Sequence, residues 1–222
     1  MSHPIKITNT DELSQHKVVK TLSSSPAPLM EAILNHIKDK NIHFRDFICD
    51  HLCWRCANLE EYVRIKSLFA NKEDNLGKIL IECMIGGRPI STIHLNEPIV
   101  IKTNDNVAFS IPAFELPCPK PGKAYESGWE HCEFAVRNKF ENLEDFVKFY
   151  KSTIAFDYRA YEKESNADVS LEAKYEIGNG EEKVGTVKFH LDPLEEVVKR
   201  ELAEGNVELA PKDYFNKIKQ LA

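Results

Sequence analysis

The sequence predicts an α+β fold of two tandem βαβββ modules with helices added at both ends. Three observations predict it. A helical motif recurs: "NLEEYVRIKSLF" from Asn58 and "NLEDFVKFYKST" from Asn142 share Asn, Leu, Glu and Val in step, with Glu/Asp, Tyr/Phe and Arg/Lys exchanged like for like. Each copy follows a strand-like run that carries a histidine, "FICDHLCWRC" and "GWEHCEFAV", and each is followed by more strand-like runs. The period, from His51 to His131, is about 80 residues, far longer than a solenoid repeat.

Residues 1–40 read as a helical segment. Thr10-Asp-Glu-Leu opens one helix, "SSSPAP" breaks the chain, and "PLMEAILNHIKDK" sets Leu29, Met30, Ile33, Leu34 and Ile37 at helical spacing. Residues 41–125 form the first module. Asn58 and Asn142 stand where a helix cap belongs, with Glu61 and Asp145 three residues on, the spacing of a capping box. Leu59, Tyr62 and Val63 match Leu143, Phe146 and Val147 as apolar stripes. The first helix leads to "GKILIECMI", "PISTIHLNEPIVI" and "VAFSIPAFELP", with a turn at Gly86-Gly87-Arg88-Pro89. Residues 126–192 form the second module, in which "SLEAKYEIG" and "KVGTVKFHL" meet at the turn signal Asn179-Gly180. "EKESNADVS", residues 162–170, is polar enough for a mobile loop. Residues 193–222 form a helical tail. Asp192-Pro193 opens its first helix, with Glu195 in the first turn and Leu194, Val197, Val198 and Leu202 helically spaced; a last short helix holds Tyr214, Phe215 and Ile218.

Of the 222 residues, 42% are hydrophobic and 29% charged, and the formal net charge is −6. This mild acidic balance, with no lysine-rich run, argues against nucleic acid, which needs a basic footprint. No apolar run approaches the ~20 residues of a membrane span. The N-terminus lacks the charged-then-apolar order of a secretory signal. A soluble, cytoplasmic protein is expected. The six cysteines sit mostly in apolar runs and read as reduced core residues. Cys53-Trp-Arg-Cys56 spells C-x-x-C, but in a strand its two sulfurs point to opposite faces.

Strand alternation picks out the candidate chemistry. Cys49, His51, Cys53 and Arg55 share a face. So do His131, Glu133 and Ala135, behind which Cys132, Phe134 and Val136 make a core face. Val107, Phe109, Ile111, Ala113 and Glu115 share another, so that Glu115 ends an apolar row. Thr186, Lys188 and His190 face away from Val187, Phe189 and Leu191. Each module therefore opens on a histidine-bearing strand and closes on one that ends in a metal-capable residue: His51 with Glu115, and His131 with His190. A buried carboxylate is costly unless it is paired or sits on a cation, and the imidazole lone pair needs a partner. Two or three histidines and a glutamate converging inside a sheet meet both demands by holding a divalent metal. The nitrogen–oxygen mixture suits zinc, nickel, iron(II), manganese or cobalt. Taken singly, a strand histidine is more often just hydrogen-bonded, Glu115 can pair with Arg55 or Arg88, and His94 is an alternative ligand.

Several motifs together resemble the YecM family, from about residue 30 to residue 203. They are Asp50-His51 with Arg55-Cys56, "MIGGRPI" from Met84, Glu97-Pro98, Phe109-Ser110-Ile111 with Glu115-Leu116-Pro117, "GWEH" from Gly128, and Lys188-Phe189-His190 ahead of a Glu-Glu helix. The duplicated modules with ligands on first and last strands resemble the vicinal oxygen chelate superfamily, which includes glyoxalase I and the extradiol dioxygenases. The chain departs from the family pattern around residues 162–168 and at Asn96, where some relatives carry histidine. The resemblance implies sheets curved into an open cleft around a divalent metal held by His51, Glu115, His131 and His190. It implies a metal-dependent enzyme acting on a small substrate with vicinal oxygens, of hydroxy-carbonyl or enediol type, by isomerase- or lyase-like proton transfer. Glu133 or Glu115 would be the base, and Arg55 and Arg88 would hold an anionic group. The nearest variants are an iron(II) dioxygenase using His51, His131 and Glu115, and a small-ligand-binding protein of the same fold without catalysis. The expected partner is a small molecule, not nucleic acid or a membrane, and the expected assembly is a monomer or homodimer.

Overall fold

The computed structural model describes residues 3–163, 166–177, 180–211 and 214. The N-terminal segment folds as three helices rather than two: α1 (Thr10–Gln15), α2 (Lys17–Leu22) and α3 (Ala27–Asp39). His16, in extended backbone, separates the first two. A single non-helical residue leaves no compositional mark, so periodicity reads through it. In α3 all five spaced residues, Leu29, Met30, Ile33, Leu34 and Ile37, are buried.

Seven strands form one mixed sheet. They are β1 (Ile48–Arg55), β2 (Gly77–Ile85), β3 (Arg88–Lys102), β4 (Ala108–Pro117), β5 (Gly128–Ala135), β6 (Asp168–Glu176) and β7 (Glu182–His190), in the order β2-β3-β4-β1-β5-β7-β6. Helix α4 (Leu59–Ala70) follows β1, and α5 (Leu143–Tyr150) follows β5. Both start on their asparagines: Glu61 N donates to Asn58 Oδ1, and Asp145 N to Asn142 Oδ1, each at 2.9 Å. The two stripes differ. Val147 is buried, but Val63 is exposed, and α4 buries Tyr62, Ile65 and Phe69 instead. Gly86 and Gly87 have φ of 59° and 79°, the paired left-handed conformation that the β2–β3 hairpin requires. Asn179 of the second expected turn lies outside the described residues. So do Phe215 and Ile218 of the expected last helix, and Glu164 and Ser165 of the polar loop.

The strand order brings the halves together. β1 and β5, the first strand of each half, pair antiparallel in the middle of the sheet, and each runs parallel to the last strand of its own half, β4 or β7. The halves are not identical. Three strands follow α4, whereas two follow α5, with only an isolated bridge from Asp157 to Ser170 at the outer side of β6. Among the described residues the pattern is therefore βαβββ, then βαββ.

One face of the sheet carries the main core. There α3 packs on β5, β6 and β7, and α4 on β2 and β4. Phe146 of α5 lies 5.0 Å from Phe189 of β7 between ring centroids, and Trp54 meets Trp129 edge-on at 5.3 Å. The other face carries the last helix, α6 (Leu194–Glu204), whose Leu194 and Val198 pack on Ile81 and Cys83 of β2. Leu202 of the predicted stripe is exposed. All six cysteines are buried free thiols. No helix among the described residues is long and apolar enough to cross a membrane.

Candidate metal centre

Two cross-strand rows build the site. One runs Thr92, Glu115, Cys53, His131, Thr186; the next runs His94, Ala113, His51, Glu133, Lys188. Neighbouring strands lie about 5 Å apart, so residues far apart in sequence stand side by side on one face. Two bulges complete the arrangement. Asp50 is an extra residue in β1, between Cys49 and His51; Glu130 is an extra residue in β5, between Trp129 and His131. A bulge breaks the two-residue period and puts an acid beside each histidine. It also corrects the alternation reading, because Cys49 belongs to the core face and not with His51. The same holds in β4. Phe109 and Ile111 face the core, and so do Phe114 and Leu116, so the period breaks at Pro112, opposite the irregular stretch between His94 and Ile99. Proline, lacking an N–H for the ladder, belongs at such breaks. Glu115 consequently faces away from the apolar row that it was expected to end.

The result is a convergence of donors. His51, Glu115, His131 and Glu133 each offer an atom, and the four atoms lie within 4.8 Å of one another. Glu133 Oε1 is 3.3 Å from both His51 Nε2 and His131 Nε2, and Glu115 Oε2 is 3.4 Å from His131 Nε2. Despite this closeness, His51 Nε2 and Glu133 Oε2 are buried without a hydrogen-bond partner among the described residues. The outward nitrogens are backed by the bulge acids: His51 Nδ1 lies 3.3 Å from Asp50 Oδ2, and His131 Nδ1 lies 3.9 Å from Glu130 Oε1. Asp50 is held further by the backbone N–H of Leu194, which donates to Oδ2 at 2.7 Å.

Electrostatics tie the cluster together. Burial opposes every charge here, yet the Glu133 and Asp50 carboxylates push His51 up to about 10. His131 and His190 are likewise raised against their burial, His131 by Cys53 and Glu115 and His190 by Asp50. Desolvation works against Glu133 too, but Lys188 and His51 hold it well below the usual carboxylate range. Burial is again outweighed at Asp50, which His190 and His51 keep low, and at Glu130, which His131 and Arg55 bring down to about 2. An array of buried carboxylates facing imidazoles could hold a cation, and with protons in place its charges balance internally.

The expected residues are placed unequally. His51, Glu115 and His131 converge, and Glu133 lies among them. His190 belongs to an adjoining group with Asp50 and His51 whose donor atoms also lie within 4.8 Å of one another: its Nε2 meets Asp50 Oδ1 at 3.0 Å and its Nδ1 meets Asn166 Oδ1 at 3.1 Å. Arg55 pairs with Glu130 and lies over the Tyr125 ring in a neighbouring groove. Arg88 lines the cavity in front of the donors. His94 pairs with Glu195 of α6, outside the converging set. Sequence reasoning assigned no role to Asp50, Glu130 or Lys188. The available signal for the two acids was the acid–histidine dipeptide, Asp50-His51 and Glu130-His131, at the same place in both halves. Lys188 Nζ lies 2.5 Å from Glu133 Oε1.

Glu115, His131, Glu133 and Lys188 line a cavity of about 370 Å³, which Ile90 of β3 and Leu194, Val197 and Val198 of α6 also line. The lining mixes charged and apolar side chains, the usual make-up of a small-molecule site.

Comparison with known proteins bears on this arrangement. The YecM protein family matches residues 19–201. Over 94 residues, 42% of this chain, the sequence is 34% identical to Protein YecM of Escherichia coli (strain K12). The matched stretch covers 45% of that protein, so it spans about half the length of the curated relative. A solved structure described as "Structural Genomics, Protein EC4020" superposes with a TM-score of 0.50, covering 86% of this chain and 90% of that one at 22% identity. This is a likeness of fold alone.

Proposed function

This chain belongs to the YecM family, and we propose that its cluster of histidines and glutamates holds a divalent cation and acts on a small substrate bearing vicinal oxygens. The observation that carries this reading is the pair of buried atoms without a hydrogen bond, His51 Nε2 and Glu133 Oε2, inside a set of four donors within 4.8 Å of one another. An unmet buried polar atom costs about 1–3 kcal/mol, and one cation would satisfy both. The bulge acids support the same reading: an acid on each Nδ1 leaves each Nε2 as the coordinating atom. The mixed imidazole–carboxylate set suits zinc, nickel, iron(II), manganese or cobalt. The central pairing of β1 with β5, flanked by parallel β4 and β7, supports a further reading of the halves as two modules of the vicinal oxygen chelate type.

When bound, such an ion polarises a substrate oxygen. The chain's own residues divide the remaining work. His51, His131 and Glu133 are the most enclosed, with side chains 1%, 6% and 4% exposed, and they hold the ion. Glu115 is 13% exposed on the cavity wall, and it is the carboxylate able to take and return a substrate proton. Arg88 receives an anionic substituent. Arg55, tied to Glu130, supports the site from behind, and His190 fixes Asp50. The expected partner is a small molecule and the expected location the cytoplasm.

Elemental analysis and calorimetry test this. Wild type binds one equivalent of zinc, nickel or manganese, and His51→Ala and His131→Ala abolish it. Glu115→Gln retains the ion but loses proton exchange on a hydroxy-carbonyl probe. Unchanged cation binding in His51→Ala would overturn the proposal. The two histidines with one carboxylate also compose an iron(II) oxygenase set; oxygen uptake by the iron-loaded protein with catechol would select that variant.

A further inference from the structure

Lys188 sits where the cation should bind. It follows Glu133 in the cross-strand row, on β7, and its Nζ lies 2.5 Å from Glu133 Oε1 and 3.4 Å from His131 Nε2. Two of the four converging residues are therefore already in contact with a positive charge. Glu133 Oε1 is also the atom 3.3 Å from both imidazole Nε2 atoms, the most central oxygen of the cluster. A divalent ion seated there would face the ammonium at a few ångströms, where like charges repel by several times the thermal energy even at a protein-like dielectric. Whichever Glu133 oxygen takes the ion, Oε1 or the Oε2 that lacks a hydrogen bond, the ammonium on Oε1 stays within a few ångströms of it. The Lys188 side chain is 25% exposed and lines the cavity, on a flexible four-carbon stem.

Building on the cation-site reading above, we infer that Lys188 exchanges partners: its ammonium is the internal counter-ion of Glu133 when no cation is bound, and on cation binding it moves into the cavity to hold an anionic oxygen of the substrate. The lysine would then select small substrates with two adjacent oxygens, at least one of them anionic, such as α-hydroxy acids. One oxygen meets the ion and the other meets the ammonium. The displaced charge stays within the site, so loading with cation prepares the cavity for an anion. The apolar residues of α6 receive the rest of such a molecule.

The test needs no knowledge of the natural substrate. Zinc is titrated into wild type, Lys188→Met and Lys188→Arg, and oxalate is then titrated into each zinc-loaded protein, with a thermal melt confirming folding. Removing the competing charge in Lys188→Met is expected to tighten zinc binding roughly tenfold or more and to weaken oxalate binding by roughly tenfold or more. Lys188→Arg, which keeps the charge, is expected to stay within a few-fold of wild type in both. Opposite movements of the two affinities in one variant are not produced by a merely structural lysine, whose loss would weaken both. Equal zinc affinity in wild type and Lys188→Met, or a parallel fall in both affinities, overturns this inference while leaving the cation site standing. Failure of wild type itself to bind zinc, nickel or manganese overturns the cation site. Should Lys188→Met not fold, Lys188→Gln carries the same expectations.

Discussion

Asp50 and Glu130 occupy matching bulges, each precedes a histidine, and each faces that histidine's Nδ1, yet they are held in opposite ways. Asp50 is 3% exposed and gathers three donors, from the Leu194 backbone, His190 and His51. Glu130 is 25% exposed, pairs with Arg55, and stands 3.9 Å from its histidine. The same backbone device thus does two jobs. On one side it fastens His51 to the end of β7 and to the first turn of α6, joining the centre to the helix that roofs the cavity. On the other it links His131 through Glu130 to Arg55, on the side where Glu115 and the cavity lie.

The strongest way to break this comparison is Asp50→Ala. It removes the shared acceptor of two buried imidazoles and of the α6 start, and is expected to cost about 3–5 kcal/mol in urea unfolding. Metal affinity should also fall by about 10- to 100-fold. Acidity and alkalinity come next. The carboxylates are lowered from ordinary values of 3.8 and 4.5, so their contribution is present above those values and lost on acidification. His51 is raised from 6.5 to about 10, so its contribution is complete below 6.5 and lost as pH rises through 10. The metal-free protein should therefore be most stable between the two limits. Metal affinity should rise with pH, since the coordinating imidazole is neutral. Thermal melts across pH, with and without zinc, check both signs; flat metal-free stability from pH 6 to 10 would contradict them. A smaller effect is expected from Glu130→Gln. Its mostly buried pairing with Arg55, each side chain about a quarter exposed, is expected to contribute about 1 kcal/mol, less than Asp50, while zinc affinity falls about tenfold. Equal destabilisation by Glu130→Gln and Asp50→Ala would erase the distinction between the two halves. The smallest test returns to what the halves share. Asn58→Ala and Asn142→Ala should each cost about 1 kcal/mol, alike within error because both caps make the same 2.9 Å bond.

Sequence by itself determined what depends on neighbours along the chain. The asparagine caps, the buried stripe of α3, the Gly86-Gly87 turn and the strand bearing His131 and Glu133 all follow from local dihedral preference and short periods. The identity of His51, Glu115 and His131 as residues that meet was also legible, because matching positions of two similar halves pointed to them. Tertiary structure alone decided the rest. Whether an acid joins its histidine on the cavity face depends on a bulge, and a bulge is a mismatch between two paired strands that neither strand records in its own alternation. Which donor group Glu133 and His190 each join depends on which strands run side by side, since β7 turns His190 towards Asp50 while β5 sets Glu133 between two imidazoles. Lys188 acquires its place only because β7 runs parallel to β5, which puts a lysine next to a glutamate 55 residues away in the chain. Periodicity speaks of one strand at a time; a site spread over four strands is written in their register.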